Sequence, residues 1–414
     1  MRITTAATAG LAGLLVLTAC GSGGGDKGSA GPVSLRMTIW TGNADHLKLL
    51  DSIADEYLKT HKDVASIKFD TLPIENYTTT LTTQMAGGNA PDLAWILENS
   101  APDFVGSGAL APLETLVKPE ELAPSTTKLW QKDGKLYAYP FSTSPFGVFV
   151  NEDLLKQAGQ EPPKAGWTWQ EAVEKAAAVS ARTGRAGLVV RDFDYKGWDN
   201  LATVWGGWGA EAWSEDGRSC GFAKPEMVEA MTFLHKAIFE DKALPAPGAT
   251  ADFFAGEAGM TITQISRASL LKDGAFDWDL VPLPAGPKGA YSVIGQAGIG
   301  VVKKSPNAAE AADFLSFMTD PDNSARLAQY FPPPRTPLLT AEGLAKSNPL
   351  LKPEQLQQVV IDGIAKGRVK PSHSGQAELA QAVRAGLDQL WQPGADVAGT
   401  LAGVCTAVQP LLAK

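Results

Sequence analysis

Three tryptophans crowd the stretch NLATVWGGWGAEAW (200–213), at positions 205, 208 and 213. An indole offers a flat apolar face able to cover the C–H face of a sugar ring, while planar polar side chains take up the hydroxyls around its edge. The same ingredients recur at other loop-like positions. Trp40 precedes TGN, Tyr77 heads a Thr-rich segment, and Glu98 and Asn99 follow an apolar run. Ser144 lies within FSTSPF, Gln264 and Ser266 follow GMTIT, Gln296 sits in IGQAG and Arg335 in PPPRTP. Asn43 joins this set unless it caps the helix that follows, as asparagine there commonly does. Trp205 and Trp208 have a plain structural alternative, because Leu201, Val204, Trp205 and Trp208 fall at i, i+3, i+4 and i+7, the spacing of a buried helical face. Gly206-Gly207 weakens such a helix by about 1 kcal/mol per glycine, which predicts that it ends there and leaves Trp208 on a loop.

Reactive chemistry is scarce. The four histidines, His46, His61, His235 and His373, form no pair at metal-ligand spacing, and HExxH, CxxC, GxSxG and GxxxxGK[ST] are absent. The signatures of metalloprotease, redox, hydrolase and nucleotide chemistry are therefore missing, and no metal or cofactor is implied. His373, in PSHSGQ, reads as a loop residue. Asp70 and Glu98 could supply the carboxylate pair of a glycoside hydrolase, which needs a separation of about 5 to 10 Å, but nothing else in the chain follows that organisation. A formal charge of −9 is scattered without a basic block. That argues against a nucleic-acid partner.

The chain opens with Arg2 and an uninterrupted run of Ala, Gly, Leu and Val from Ala9 to Leu17. This is far short of the ~20 residues that cross a bilayer and fits the apolar region of a secretory signal. Thr18-Ala19-Cys20 and a Gly/Ser tract follow, and the stretch resembles a bacterial lipoprotein signal. That implies removal of residues 1–19, a lipid on Cys20, a flexible linker over 20–34, and a place on the outer face of the cytoplasmic membrane. Losing Arg2 moves the charge from −9 to −10. About 395 residues then remain, enough for two domains.

The elements that must position the candidates follow. LRMTIW (35–40), ASIKFDTL (65–72) and PDLAWIL (91–97) read as strands separated by two helical stretches. In the first, Leu47, Leu50, Ile53, Ala54, Tyr57 and Leu58 share a face; the second closes at Gly87-Gly88. This β-α-β-α-β order predicts a parallel sheet with ligand loops beyond the strand ends, at Trp40–Asn43, Asp70–Pro73 and Glu98–Ser100. The pattern restarts after GKLYAYPFSTSPFGVFVNEDLLKQAG, with a capping box at Thr168 and Glu171 and a helix opened by Pro225. AGLVV and AGMTITQI read as strands, and the chain from Ser305 is mostly helical.

GNAPDLAWI, GKLYAYPFS…GVFVNEDLLKQAG, GQAGIGVVKKSPNAAEAADFLSFMTDPDNSARLAQ and the lipoprotein start together resemble the family 1 extracellular solute-binding proteins of carbohydrate ABC transporters, the maltose-binding-protein-like group. The likeness spans nearly the whole mature chain; Val150 departs from the tyrosine usual before Asn151. It implies an α/β, two-lobed periplasmic-binding-protein-like fold (type II) with a ligand cleft between hinge-linked lobes. The crossovers would fall near Pro140–Ser142, Ile294–Gln296 and Pro334–Pro337. Lobe one would then be 35–141 plus 296–336, and lobe two 142–295 plus 337–414. The implied role is non-catalytic: a monomer capturing a sugar or oligosaccharide for a membrane permease. A surface lipoprotein for a polyol, peptide or chelate is the alternative, with the hydrolase behind it. On this map Cys220 and Cys405 both fall in lobe two, and an exported protein sits where a disulfide between them persists.

Overall fold

The computed structural model describes residues 31–113, 121–191, 197–272, 274 and 276–412. The signal-like run, Cys20 and most of the Gly/Ser tract lie outside the described residues. Strands β1 (Val33–Ile39), β2 (Val64–Thr71) and β3 (Leu93–Leu97) pair in parallel with β1 in the middle. Helix Ala44–Thr60 joins β1 to β2 and buries Leu50, Ile53, Ala54 and Tyr57, the stripe expected from the helical period. Helix Tyr77–Ala86 joins β2 to β3 and is closed by Gly87 and by Gly88, which turns the chain at a φ of +78°.

Strands β4 (Gln131–Lys132) and β5 (Lys135–Leu136) form a small hairpin. The remaining strands are β6 (Tyr139–Asn151), β7 (Ala186–Val190), β8 (Ala258–Gln264), β9 (Trp278–Val281), β10 (Val293–Val301) and β11 (Arg368–Val369). The main sheet has the order β2-β1-β3-β10-β6-β8-β7, with β11 on β10 and β9 on β6. Two long strands make it continuous. The first half of β6 pairs antiparallel with β10 from Tyr139 to Pro145, and its second half pairs with β8 and β9 from Phe146 to Asn151. In turn β10 reaches back to β3.

Two hydrophobic cores lie on either side of this crossing. The first collects Leu35, Ile53, Tyr57, Trp95, Trp130 and Phe141, then Ala297, Ile299, Phe314 and Phe331. The second collects Phe146 through Val293, then Leu344 through Leu412. Along β6 the change comes between Phe141 and Phe146, along β10 between Val293 and Ala297, and a third passage follows Phe331. Within the second core, helix Trp169–Thr183 starts on the expected capping box, the Thr168 amide donating to Glu171 Oε2 at 2.7 Å. Helix Pro225–Phe239 carries its proline in the first turn.

Cys220 and Cys405 form a disulfide across 185 positions, as the sequence led us to expect. Beside it, Gln409 on helix Val397–Leu412 accepts from the Cys220 amide at 2.9 Å and donates to the Arg218 carbonyl at 2.7 Å. The C-terminal helix is thus stitched to the 213–220 loop by one covalent and two hydrogen bonds.

Candidate functional site

Polar side chains from both cores converge where β6 and β10 cross. On β6, Ser144 pairs with Gly295 of β10, and its hydroxyl accepts from the Ser266 amide at 3.3 Å. Gln264, at the end of β8, lies so close over Gly295 that a Cβ there would sit 2.0 Å from Gln264 Nε2. Its Oε1 accepts from Arg191 at 2.8 Å.

Lys370 enters from β11, its amide donating to the Ile294 carbonyl at 3.3 Å and its ammonium lying 5.9 Å from the centre of the Phe146 ring. The ammonium reaches Asp199 at 2.7 Å and Asn200 at 3.2 Å, both on the second core's side, and Glu98 at 2.9 Å. Glu98 belongs to the first core, on the single turn that follows β3. These charged heads are nearly closed off, with side chains 7% (Lys370), 8% (Glu98) and 14% (Asp199) exposed. Burial alone would push Lys370 toward neutrality, but the carboxylates of Asp199 and Glu98 outweigh it and hold its pKa above the ordinary value. Burial likewise works against ionised Asp199, and the Lys370 charge overcomes it and keeps its pKa low. Lys370 and Asp199 therefore form an ion pair at neutral pH.

The sequence candidates divide. Glu98, Gln264 and Ser266 stand at or beside this cluster, with Asn99 half-buried next to Glu98. Trp40 is half-buried at the end of β1, its ring edge-on to Trp95 at 4.8 Å and to Tyr77 at 5.2 Å. Asn43 is the helix N-cap, accepting from the amides of Asp45 and His46. Tyr77 is a correction: only 1% exposed, it places its hydroxyl 2.8 Å from the Trp95 carbonyl and 3.0 Å from that of Thr38. That hydroxyl satisfies the core rather than facing a ligand. Ser144 is also spent, 1% exposed and occupied by the Ser266 amide.

Gln296 and Arg335 are corrected for the same reason. Gln296 accepts from the Trp130 indole at 3.2 Å and donates to the Thr126 carbonyl at 3.3 Å. Arg335 donates twice to the Thr319 carbonyl and pairs with Glu121 at 2.5 Å. The tryptophan cluster resolves toward the structural alternative. The helical path runs on through Gly206–Trp208 and stops at Gly209, at a φ of +72°. Trp205 is 1% exposed and Trp208 7%, the latter packed 4.9 Å from Phe233. The two glycines do not end the helix; they let it press on Tyr291, whose ring a Cβ at Gly206 would meet at 2.8 Å. Trp205 also lines a half-open cleft of about 580 Å³ on the second-core side, whose walls include Phe146, Tyr291 and Val359 and the exposed Lys366 and Arg368. His373 stacks edge-on against Trp213 and lies 2.9 Å from the Gly217 carbonyl.

Asp70 and Glu98, the hydrolase pair, are held in separate networks, Asp70 by Arg36 and Lys68. Sequence reading missed Lys370, Asp199, Asn200 and Arg191. The only signal was positional: Arg191 directly follows β7, and Lys370 directly follows β11.

Two α/β halves around separate cores, strands that cross between them, and polar groups of both meeting at the crossing define the architecture of a two-lobed solute-binding protein. The chain belongs to the family described as bacterial extracellular solute-binding protein, which matches residues 52–353. A putative binding protein of Brucella abortus (strain 2308) is 28% identical over 341 residues, 77% of this chain and 78% of that one. The sn-glycerol-3-phosphate-binding periplasmic protein of Pectobacterium atrosepticum is 25% identical over 316 residues, 68% of each chain. The solved ABC substrate-binding protein of Listeria monocytogenes in complex with cycloalternan shares the fold, with a TM-score of 0.80 at 22% identity over 92% of this chain and 100% of that one.

Proposed function

We propose that this protein is a non-catalytic receptor that captures a sugar or oligosaccharide between its two lobes and presents it to an ABC transporter permease. One observation carries the reading: Glu98 of the first core meets Lys370 and Asp199 of the second at the strand crossing. Charged and amide groups from two bodies converge there, the equipment for a ring of hydroxyls. Trp40 supplies the aromatic face on lobe one, and Glu98, Asn99, Gln264 and Ser266 are the candidate polar contacts. Lobe one comprises 35–141 plus 296–336 and lobe two 142–295 plus 337–414. The relatives that bind cycloalternan and sn-glycerol-3-phosphate support a polyhydroxylated solute.

The protein works as an exported monomer, held to the membrane by lipid on Cys20. The test is a thermal-shift screen of mono-, di- and oligosaccharides together with sn-glycerol 3-phosphate. A true ligand at 100 times its Kd stabilises by ~2.7 kcal/mol. Binding without new reducing ends supports the receptor. Appearance of reducing ends, or no stabilisation by any saccharide, overturns it.

A further inference from the structure

The half-open cleft beside Trp205 belongs to the second lobe alone. Every described residue lining its 580 Å³ falls within 142–295 or 337–414, and neither Glu98 nor Gln264 is among them. Phe146 touches both places, since the Lys370 ammonium lies 5.9 Å from its ring centre. The volume falls inside the range of about 300 to 1,000 Å³ that small-molecule pockets occupy.

The cleft opens where β6 changes partners. Pairing with β10 stops at Pro145, and pairing with β9 starts at Val148. The chain that links β9 to β10 loops away there, and its Leu283 and Tyr291 form one wall. A second wall is Val359, on the segment Leu356–Ile361, whose backbone bonds run from i to i+5. Such turns are rare and occur often at functional sites. Gly147 lets this one press in, because a Cβ there would meet Val359 at 2.9 Å and Leu280 at 2.7 Å.

Charge gathers at the rim. Lys288, Lys366 and Arg368 stand there with Glu211 and Asp362, three cations against two carboxylates. Arg368 is taken by an ion pair with Glu211, and Asp362 accepts from the Gln357 side-chain amide at 2.9 Å. No carboxylate among the described residues pairs with Lys288 or Lys366. The chain as a whole carries a formal charge of −9, so a net positive rim reverses its average. Two cations above apolar walls complement a ligand with an apolar body and one anionic head.

We propose that this cleft is a second binding site, for a small amphiphilic anion whose apolar body lies against Tyr291 and Val359 and whose head meets Lys288 and Lys366. The body supplies most of the affinity, about fourfold for each buried CH₂. The exposed lysines add less, roughly two- to thirtyfold for the pair. The site stands whether or not the crossing takes a sugar.

The test titrates anilinonaphthalene sulfonate by fluorescence, then displaces it with octanoate or with octanol, which share a chain length and differ in charge. The unmodified protein is compared with the double variant Lys288→Gln/Lys366→Gln and with Ala290→Trp, which crowds the mouth. All three residues are exposed, so the substitutions leave the core intact. Octanoate should displace the dye from the unmodified protein roughly two- to thirtyfold better than octanol does. That preference should vanish in the double variant, and Ala290→Trp should weaken the dye and both competitors. A saccharide found by the thermal-shift screen should leave the dye in place.

The proposal is overturned by the absence of saturable dye binding, or by dye binding unchanged in Ala290→Trp. Octanol competing as well as octanoate on the unmodified protein overturns it too, as does a preference that survives loss of the lysines. Displacement of the dye by a saccharide would show a single shared site and overturn it equally.

Discussion

Replacing Trp208 and Trp40 with alanine, one at a time, separates a core indole from a cleft indole. Trp208 is 7% exposed and packed between Phe233 at 4.9 Å and Trp169 at 6.5 Å. Cutting such a side chain to alanine costs ~3 to 5 kcal/mol through lost burial and the cavity left behind. With each kcal/mol worth about 2 to 4 °C in a unit of some 150 to 250 residues, the ligand-free melting temperature should fall by about 6 to 20 °C. Trp40 is half-buried and keeps part of its ring outside the core. A pyranose laid on that face covers roughly 60 to 100 Å², worth about 1.5 to 2.5 kcal/mol. Trp40→Ala should therefore weaken binding roughly ten- to seventyfold. Its cost to the ligand-free protein is the smaller loss of two edge-on contacts, about 0.5 to 1.5 kcal/mol each. Calorimetry gives both quantities: the melting transition without ligand, and Kd with the best ligand of the screen. A Trp208→Ala protein that melts normally but binds weakly would refute the core assignment. A Trp40→Ala protein with unchanged Kd would remove the only aromatic platform assigned to lobe one.

Reduction of Cys220–Cys405 should lower the melting temperature without abolishing the fold. Closing a loop of 185 positions is worth about 5 kcal/mol in the chain-entropy model, and unchanged melting under reductant would count against the bond. His46 packs 4.4 Å from the Tyr330 ring, and its Nε2 is buried without a partner. Burial lowers its pKa below 6.5 despite the opposing charge of Asp45. The unfolded chain then binds a proton that the folded chain refuses, so stability should decline as pH falls below about 6.5. Denaturant titrations at several pH values should show that slope, flattened in His46→Gln. Arg335→Met should destabilise the protein by about 1.5 to 3 kcal/mol, the worth of a hydrogen bond from a charged group, because the buried Thr319 carbonyl then keeps only the Ser324 hydroxyl, while Kd stays unchanged. Weakened binding at normal stability would return Arg335 to the cleft.

The fold was legible because periodicity reports burial. The helix over 44–60, the strands over 33–39 and 93–97, and the Thr168–Glu171 capping box all declare themselves within a few residues of sequence. The site was only half legible. Glu98 stands at a strand end, which is where α/β sheets place ligand groups. Its partner Lys370 is 272 positions away by subtraction, on a strand of two residues too short to show any period. No local pattern announces a pair that distant. Aromatic residues misled for a different reason. A tryptophan has so much surface to hide that the core claims it first, and Gly206-Gly207 signals close packing on Tyr291 as readily as a helix end.

Polar residues at the crossovers misled for a reason that follows from the two-core design itself. Beside these passages short helices end, at Thr127 and Met318, and the last carbonyls of a helix have no partner within it. Such groups must be paired by side chains, since burying them unpaired costs about 1 to 3 kcal/mol each. Gln296 serves Thr126, and Arg335 serves Thr319, each beside a passage from one core to the other. A glutamine or arginine at a crossover thus has a structural task before it has any ligand. Glu98 and Lys370 differ from them in one respect: they satisfy charges across the gap rather than carbonyls within one body. That distinction, and not polarity or burial, sets them apart from Gln296 and Arg335.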